Sequence, residues 1–503
     1  MALYSSGISF KLKLLISFIF GAVLVGSFSP FEWAPLAFVC LAGLFYLCRE
    51  LPAKQTFWLG LAFGYGQFGV GVSWVYVSLH TYGGMPPWMG GIAVFLFSSI
   101  LGVFAGFTTY SAARLVQQDG QLRILALASF WIIFEWIKSW IFTGFAWLEL
   151  GVSQTPTWLF GFAPIGGVYL VSFAVVVVAS CLVLLTYSKK ILPALALLTI
   201  FMSAWYSNQL SWSSDIGEEL NVGVIQANVP INEKWQGKYR DRVIANLMNM
   251  SQELQTQQVA KQTPIDLLVW PETALPLYFQ QTNEEFWQSL ILPNSALLTG
   301  LVDHPDNNNS YNAAVLSCDD GQQIYRKRHL VPFGEYLPMR FLLNWLLEYL
   351  QLPMSDFSSW QEPQSLNCGD KIKIGLSICY EDAFASEMRR DIGDATLLVN
   401  ISEDAWFGDS FAPHQRLQMG QMRARELARP MVRSANSGPS AFIDHRGNVL
   451  VKTPQFEKQT LAFMVQPQIG DTPYKRFGDW IIWLNIFLLL VARQTLRHRK
   501  LKA

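Results

Sequence analysis

The chain of 503 residues carries 37 basic and 37 acidic side chains, so its formal net charge at pH 7 is zero. Nucleic-acid-binding proteins usually carry an excess of basic residues, and this balance gives no sign of such a partner. Hydrophobic residues make up 51% of the chain and charged residues only 15%, a composition that is typical of membrane proteins.

Long apolar segments fill the amino-terminal part of the chain, and one more lies near the carboxyl terminus. Most of them are long enough to cross a hydrocarbon core of about 30 Å. They predict a multi-pass α-helical membrane domain with about eight spans, of which the second and the seventh are short. The first run lacks the exit of a cleaved signal peptide, so we expect it to remain as a span. The predicted spans are residues 9–26, 33–48, 57–79, 89–115, 124–141, 166–187, 191–206 and 480–491.

Basic residues are distributed unevenly over the segments that flank these spans. Lys and Arg occur around the start of the first span, after the second, fourth and sixth spans, and after the last one. Residues 27–32, 80–88 and 145–164 contain neither. Because positively charged segments stay in the cytoplasm, we predict cytoplasmic termini and an extracytoplasmic segment between the last two spans. In a Gram-negative cell, this segment would lie in the periplasm, anchored in the inner membrane.

Two features inside the predicted spans have more than one interpretation. Glu135 and Lys138 are three residues apart and share a helix face, where they either mark a functional path or form a structural pair. The third span is rich in Gly, which indicates close helix packing more than a lipid groove.

From about residue 218 to residue 468, the composition becomes that of an extramembrane domain. Short apolar strand patterns alternate there with amphipathic helical patterns, which predicts one layered α/β domain. We therefore divide the chain into a membrane domain (1–210), an extracytoplasmic domain (218–468) and a last span with a basic tail (478–503). Predicted strands cover 220–227, 267–270, 296–302, 311–316, 323–327, 372–378, 396–401, 431–434, 441–443 and 449–451, with helices at 238–259 and 415–429 and a turn at 305–310.

Three chemically reactive side chains stand at or just beyond the ends of predicted strands. Glu272 follows the strand at 267–270, Lys327 ends the strand at 323–327, and Cys379 follows the strand at 372–378. A carboxylate can take the proton of a thiol, and an ammonium can stabilise the oxyanion that forms when the thiolate attacks a carbonyl. An apolar-flanked Cys alone is more often a core residue, so the hypothesis depends on the three residues occurring together.

The segments around these residues resemble the catalytic segments of the nitrilase superfamily. They are Trp270-Pro271-Glu272-Thr273-Ala274, Lys327 with residues 329–335, and Cys379-Tyr380-Glu381. More narrowly, they resemble the apolipoprotein N-acyltransferase family, bacterial membrane enzymes that add the third acyl chain to lipoproteins. Residues 74–78, 143–148, 400–402, 404–408 and 425–430 extend the resemblance along nearly the whole chain. Glu403 departs from it, because a neutral Asn is expected there, and this puts the local hydrogen bonding in doubt.

The resemblance implies that the extramembrane domain is a nitrilase-like αββα sandwich of four layers. It implies that Glu272 is the base, that Lys327 stabilises the oxyanion and that Cys379 is the nucleophile. The acyl donor would be a membrane phospholipid, and the acceptor the terminal amine of a diacylglyceryl-cysteine on an apolipoprotein. No metal and no other cofactor is expected, and the oligomeric state is left open.

Residues beside the three motifs are candidates for supporting roles. Glu335 and Glu381 can hold Lys327 in place, and Tyr380 can line the acyl pocket, as the resemblance supports. Trp235 lies in a polar stretch, where it is either incidental or touches lipid.

Two aromatic residues, Trp406 and Phe407, precede a glycine in the resembling segment 404–408. They either pack in a hairpin or form a mobile lid, and we favour the lid.

The six cysteines do not have the spacing of a metal site. Three of them, Cys40, Cys48 and Cys181, fall in predicted spans. Cys318 and Cys368 either form a disulfide in an oxidising compartment or remain free, and Cys379 must then stay unpaired.

Three other functions are compatible with parts of this pattern. A membrane-tethered amidase or nitrilase would use the same three residues and release free acid. A transporter would depend on Glu135 and Lys138 and not on Cys379. A docking protein would tolerate the loss of all three reactive side chains.

Overall fold

The computed structural model describes residues 8–117, 119–187, 190–306, 308–344 and 356–502. The chain divides into two compact units. The first unit contains Met1–Tyr76, Pro87–Leu210 and Arg476–Ala503, and the second contains Val77–Pro86 and Ser211–Lys475. The short segment Val77–Pro86 thus belongs to the second unit, although in the sequence it lies between helices of the first.

The described part of the first unit is built from helices that coincide with the apolar runs. Their bounds are α1 (Phe10–Leu24), α2 (Pro35–Cys48), α3 (Ala53–Gly71), α4 (Pro87–Leu115), α5 (Gly120–Lys138), α6 (Ala163–Leu184), α7 (Ile191–Gln209) and a carboxyl-terminal helix, Trp480–Lys502.

Among the residues that the structure describes, five helical segments are long and apolar enough to span a membrane. Two further helices, Pro35–Cys48 and Trp480–Thr495, are apolar but shorter. The membrane character of the first unit agrees with the sequence analysis, whereas the count of about eight spans stays a prediction. The five segments are Phe10–Ser27, Pro87–Leu115, Gly120–Lys138, Trp158–Leu184 and Ile191–Gln209.

A face of small residues on α3 allows neighbouring helices to approach closely. A Cβ atom added to Gly64 would lie 2.6 Å from Gly102 Cα in α4. The same addition to Gly66 would collide with the Phe18 carbonyl oxygen in α1. Gly64 and Gly66 therefore serve close packing, whereas a Cβ atom at Gly69 would meet nothing within 4 Å.

Glu135 and Lys138 bind the backbone of the segment that follows α5. Glu135 Oε1 accepts a hydrogen bond from the Leu150 amide at 2.8 Å. Lys138 Nζ donates to the carbonyl oxygens of Phe145 and Trp147 at 2.7 and 2.9 Å. These contacts favour the structural interpretation of the two charges over a transport path.

Two six-stranded sheets form the centre of the second unit. The strands of the first sheet are β1 (Leu220–Gln226), β2 (Leu267–Val269), β3 (Ala296–Asp306), β4 (Asn309–Cys318), β5 (Gly321–Arg326) and β12 (Gln459–Val465). Those of the second sheet are β6 (Leu366–Cys368), β7 (Ile372–Ile378), β8 (Leu397–Ser402), β9 (Met431–Ala435), β10 (Ala441–Ile443) and β11 (Val449–Lys452). The orders are β12-β1-β2-β3-β4-β5 and β11-β10-β9-β8-β7-β6.

The helices that flank these sheets include α8 (Gly237–Ala260), α9 (Glu284–Leu290), α10 (Ala385–Asp391) and α11 (Ala412–Leu427).

Each sheet is covered by helices on one face and by the other sheet on its second face. The α8 and α9 helices share a hydrophobic core with the first sheet, and α10 and α11 share one with the second. Between the sheets, the rings of Phe442 and Phe463 lie 5.5 Å apart, and Ser434 Oγ donates to the Val269 carbonyl oxygen at 3.3 Å. The layers therefore follow the αββα order that the resemblance implies.

Parallel strands bring the reactive residues to one edge of each sheet. In the first sheet β1, β2 and β3 are parallel, and in the second β7, β8 and β9 are parallel. The antiparallel pairs β3–β4 and β4–β5 return β5 to the direction of β3. The carboxyl ends of β2 and β5 thus lie at the same edge, where Glu272 and Lys327 follow them.

Two details of the strand predictions are wrong. The predicted turn at 305–310 begins too early, because β3 continues to Asp306 and includes Pro305. A register shift between Asp303 and Asp306 accommodates this proline, which has no N–H for the ladder. The sequence analysis also missed β6, which has only three residues, and β12, whose half-buried residues do not alternate.

Cys318 and Cys368 form a disulfide bond. Cys318 ends β4 in the first sheet and Cys368 ends β6 in the second, so the bond joins the two sheets. Cys379 is a free thiol.

Replacing both Cys318 and Cys368 by Ser should lower the free energy of unfolding of the second unit by about 3–4 kcal/mol. The disulfide joins residues that are 50 positions apart and therefore restricts the unfolded chain. Denaturant titration in detergent, followed by tryptophan fluorescence, measures the change. A Cys181→Ser variant is the control and should unfold like the wild type, and equal midpoints for all three proteins would contradict the expectation.

Candidate active site

Lys327 is buried between two carboxylates directly after β5. Its Nζ atom lies 2.8 Å from Glu335 Oε1 and 3.7 Å from Glu272 Oε1. Burial alone would disfavour the ammonium, but the charges of Glu335 and Glu272 outweigh this effect and raise the pKa of Lys327. The side chain is therefore a cation at neutral pH.

Glu272 is held by donors that come from other parts of the second unit. Asn312 Nδ2 donates to Glu272 Oε1 at 2.7 Å and to Glu335 Oε1 at 2.8 Å. The Glu403 amide donates to Glu272 Oε2 at 2.8 Å. Gly300 in β3 permits this position, because a Cβ atom there would lie 2.8 Å from Glu272 Cα. The carboxylate is thus fixed in direction before any substrate binds.

Cys379 begins a short 3₁₀ turn, Cys379–Ala383, at the end of β7. Its φ angle is +50°, a left-handed conformation that costs a non-glycine residue on the order of 1–3 kcal/mol. Buried donors stabilise this backbone, because the Cys379 carbonyl oxygen accepts from Asn400 Nδ2 at 3.2 Å and from Arg416 Nη2 at 2.5 Å. The turn places the thiol at the carboxyl edge of the second sheet.

The Glu381 carboxylate connects the end of β7 to the chain around Lys327. Its Oε2 atom accepts from the Ile378 amide at 2.6 Å and from the Tyr325 hydroxyl at 3.0 Å. Its Oε1 atom accepts from the amides of Arg328 and His329 at 2.7 and 3.2 Å. Glu381 therefore fixes Lys327 through the backbone that follows it, and this single carboxylate bridges the two sheets.

Burial and the charges of several neighbouring side chains shift the pKa of the free Cys379 thiol. Burial raises the pKa of Cys379 to about 12, with a further rise from the Glu272 carboxylate, while Arg416 and Lys327 lower it. At neutral pH the resting thiol is therefore protonated. Lys327 and Glu272 lie 3.7 Å apart, and the charges of both act on the Cys379 thiol.

Glu403 forms an ion pair that the sequence analysis did not anticipate. Lys234 Nζ lies 2.7 Å from Glu403 Oε2 and donates to the Glu272 carbonyl oxygen at 2.9 Å. Asn436 Nδ2 donates to both oxygens of Glu403 at 3.1 and 3.0 Å. Burial raises the pKa of Glu403, and the Lys234 charge opposes this rise. The departure from a neutral residue is therefore compensated by a buried lysine next to Glu272.

Tyr380 is buried directly after the thiol and contacts the chain near Lys327. Its ring packs edge-on against Phe384 at 4.9 Å and against His329 at 5.8 Å between ring centroids. His329 stacks on Phe384 at 3.6 Å, and its Nδ1 atom lies 2.9 Å from Glu387 Oε1. The aromatic group borders the site on the side of the second sheet.

Trp406 and Phe407 lie in a 3₁₀ turn, Asp404–Phe407, between β8 and α11. The hairpin interpretation is therefore wrong, because no second strand follows the turn. Ser78 Oγ donates to the Trp406 carbonyl oxygen at 2.9 Å, and the Tyr82 ring meets the Trp406 ring edge-on at 6.0 Å. The turn thus packs on the segment Val77–Pro86. Both aromatic side chains are half-buried.

Trp235 is exposed to solvent over 38% of its surface. It follows Lys234, whose ammonium binds Glu403 and the Glu272 carbonyl oxygen.

Three residues of the site were not singled out in the sequence: Asn312, Lys234 and Arg416. Asn312 occupies a buried position in β4, and its polar side chain inside an apolar strand pattern was an available signal. Lys234 and Arg416 lie in polar surroundings of the sequence, where nothing distinguishes a buried cation from a solvated one.

Comparisons with known proteins match both parts of the chain. Residues 20–181 match the family model for the apolipoprotein N-acyltransferase N-terminal domain, and residues 221–474 match the model for carbon-nitrogen hydrolase. Similar proteins include the apolipoprotein N-acyltransferase of Methylococcus capsulatus, which is 34% identical over 93% of each chain. That of Nitrosomonas europaea is 35% identical over 95% of this chain and 96% of its own.

Among solved structures, a carbon-nitrogen hydrolase from Helicobacter pylori is 16% identical, with a TM-score of 0.35, over 54% of this chain and 94% of its own. An amidase of the nitrilase superfamily from Nesterenkonia is 16% identical, with a TM-score of 0.38, over 54% of this chain and 98% of its own.

Alkylation of Cys379 by iodoacetamide should accelerate about tenfold per pH unit from pH 6 to pH 10 without a plateau. The thiolate is the reacting species, and its fraction rises tenfold per unit at any pH below the raised pKa of about 12. Mass spectrometry of the labelled peptide measures the rate, and Cys379→Ala is the blank for other cysteines. A plateau between pH 8 and 9 would contradict the raised pKa.

Replacing Glu403 by Gln should lower the free energy of unfolding by about 3 kcal/mol, because it leaves Lys234 buried without its carboxylate. The double variant Glu403→Gln with Lys234→Met should recover much of this loss. Glu233→Gln breaks the more exposed pair with Arg242 and should change stability by less than about 1 kcal/mol. Equal losses in the two single variants, measured by denaturant titration, would argue against a buried ion pair.

Proposed function

Because the chain belongs to the apolipoprotein N-acyltransferase family, we propose that it acylates the terminal amine of apolipoproteins through a thioester on Cys379. The protein is an acyltransferase with a carbon-nitrogen hydrolase domain, and it is a membrane protein. The proposed donor is a membrane phospholipid, and the proposed acceptor is a diacylglyceryl-cysteine at the amino terminus of an apolipoprotein.

In the first half of the reaction, Glu272 takes the proton of Cys379 while the sulfur attacks the carbonyl carbon of a phospholipid ester. The carbonyl oxygen of the ester becomes an oxyanion, which the Lys327 ammonium stabilises. The carbon–oxygen bond then breaks, the proton on Glu272 passes to the leaving oxygen, and lysophospholipid departs. The acyl chain remains on Cys379 as a thioester.

In the second half, the α-amine of the diacylglyceryl-cysteine attacks the thioester carbonyl, and Glu272 accepts a proton from the nitrogen. The carbon–sulfur bond breaks, and the proton returns to the sulfur as the amide forms. Because lysophospholipid leaves before the apolipoprotein amine reacts with the thioester, the kinetics are expected to be ping-pong.

One observation carries this mechanism: the Lys327 ammonium lies 3.7 Å from Glu272 and shares a buried site with the free thiol of Cys379. A side chain that is 1% exposed meets a developing oxyanion without competition from water. Exclusion of water also favours aminolysis of the thioester over hydrolysis.

Supporting roles are proposed for the neighbouring residues. Glu335 orients Lys327, Glu381 orients the backbone on both sides of the site, and Tyr380 lines the acyl pocket. Trp406 and Phe407 belong to a lid, and Trp235 contacts lipid.

The proposed topology has about eight spans, cytoplasmic termini and a periplasmic catalytic domain at residues 218–468. The Cys318–Cys368 disulfide supports an oxidising compartment for the catalytic domain. With cytoplasmic termini and a periplasmic catalytic domain, the proposed location is the inner membrane. Both proposed substrates are anchored in lipid.

Incubation with phospholipid alone should produce lysophospholipid and a hydroxylamine-sensitive acyl adduct on Cys379 in equal amounts, with little free fatty acid. Addition of a diacylated lipopeptide should then discharge the adduct as an N-acylated product. Cys379→Ala should lose both steps, while Cys181→Ser is the matched control and should keep both. Steady release of free fatty acid would indicate a membrane-tethered hydrolase instead, and transfer by Cys379→Ala would refute the proposal.

A further inference from the structure

Four buried charged side chains form a closed ring next to Cys379. Arg416 lies 3.0 Å from Asp382 and 2.8 Å from Asp404, and Arg433 lies 3.2 Å from Asp382 and 2.6 Å from Asp404. Each of these side chains is at most 1% exposed. Charges alternate around the ring, so its sum is zero, and each carboxylate is bound by both guanidinium groups.

The two arginines of this ring differ in their contact with the nucleophile. Arg416 Nη1 lies 3.5 Å from Cys379 Sγ, and Arg416 Nη2 donates to the Cys379 carbonyl oxygen at 2.5 Å. Arg433 donates instead to Asn400 Oδ1 at 2.8 Å and to the two aspartates. Of the two guanidinium groups in the ring, that of Arg416 contacts the sulfur.

The remaining charges around the sulfur do not favour a thiolate. Lys327 is the single cation of the Glu272–Lys327–Cys379 set, and Glu335 and Glu272 both lie within 4 Å of it. The charges of Lys327, Glu335 and Glu272 add up to one negative charge. Asp404 also acts on the thiol with a negative charge, so Arg416 and Lys327 are the two cations that oppose Glu272 and Asp404 there.

We propose that Arg416 is a further catalytic residue, which stabilises the negative charge on Cys379 Sγ when the thioester forms and when it breaks. The proposal rests on the proposed function of Cys379 as the nucleophile. A guanidinium suits this place because its planar fork can bind a sulfur, a carbonyl oxygen and two carboxylates at once. The aspartates hold the fork in position, and Arg433 completes the ring without contacting the sulfur.

The test compares Arg416→Gln with Arg433→Gln, because each substitution removes one of the two guanidinium groups of the ring. Arg416→Gln should slow alkylation of Cys379 by iodoacetamide at pH 8 about tenfold, since loss of a nearby cation disfavours the thiolate. Arg433→Gln should change this rate by less than about twofold. Similar rates in the two variants would overturn the proposal, because a merely structural ring predicts no difference between them.

Milder substitutions decide the question if either glutamine variant fails to fold. Arg416→Lys keeps a cation but loses the fork, so its alkylation rate should lie between those of the wild type and Arg416→Gln. Arg433→Lys should alkylate like the wild type, and an Arg416→Lys rate equal to it would again overturn the proposal.

Alkylation reports the thiolate whether or not acyl transfer occurs, so the two proposals fail in different ways. Transfer activity that persists in Cys379→Ala refutes the proposed function. Normal alkylation of Arg416→Gln refutes only the role of Arg416.

Discussion

The carboxylate of Glu381 is the interaction on which the geometry of the site depends. Glu381 stands two residues after Cys379, in the turn that follows β7 of the second sheet. It accepts hydrogen bonds from the chain that follows β5 of the first sheet. Hydrogen bonds to a charged group contribute about 1.5–3 kcal/mol each, and three of them, from Tyr325, Arg328 and His329, resist separation of the two strand ends. Burial raises the pKa of Glu381 to about 7, against the lowering effect of these donors and of Lys327.

Around this connection, the second unit buries several charged side chains close together. Each buried ion is costly to remove from water, and the structure offsets much of that cost by pairing five acids of the site with cations. Glu335 and Glu272 share Lys327, Glu403 binds Lys234, and the two aspartates share the arginine ring. Buried pairs of this kind add little net stability, but they fix directions, and a reaction that moves protons between a carboxylate, a thiol and an amine requires fixed directions.

The sequence predicted those parts of the site that local patterns control. Glu272, Lys327 and Cys379 were singled out because each stands at or just past the end of a predicted strand and because their segments resemble a known family. The partners Asn312, Lys234 and Arg416 were not found, because their burial is produced by contacts between elements that are far apart in the chain. The same reason explains the missed β12, which depends on pairing with β1 and not on its own alternation. Trp406 was assigned two interpretations because its neighbour, the segment at 77–86, lies more than three hundred residues away in the sequence.

That segment has a consequence for dissecting the protein. Since Val77–Pro86 belongs to the second unit, the chain passes between the two units at four points, after Tyr76, Pro86, Leu210 and Lys475. No single cut in the chain isolates the second unit. A fragment made from Ser211–Lys475 alone would leave the Trp406 turn without the Ser78 and Tyr82 contacts described above. A fragment that keeps these contacts would have to include residues 77–86 as an added peptide.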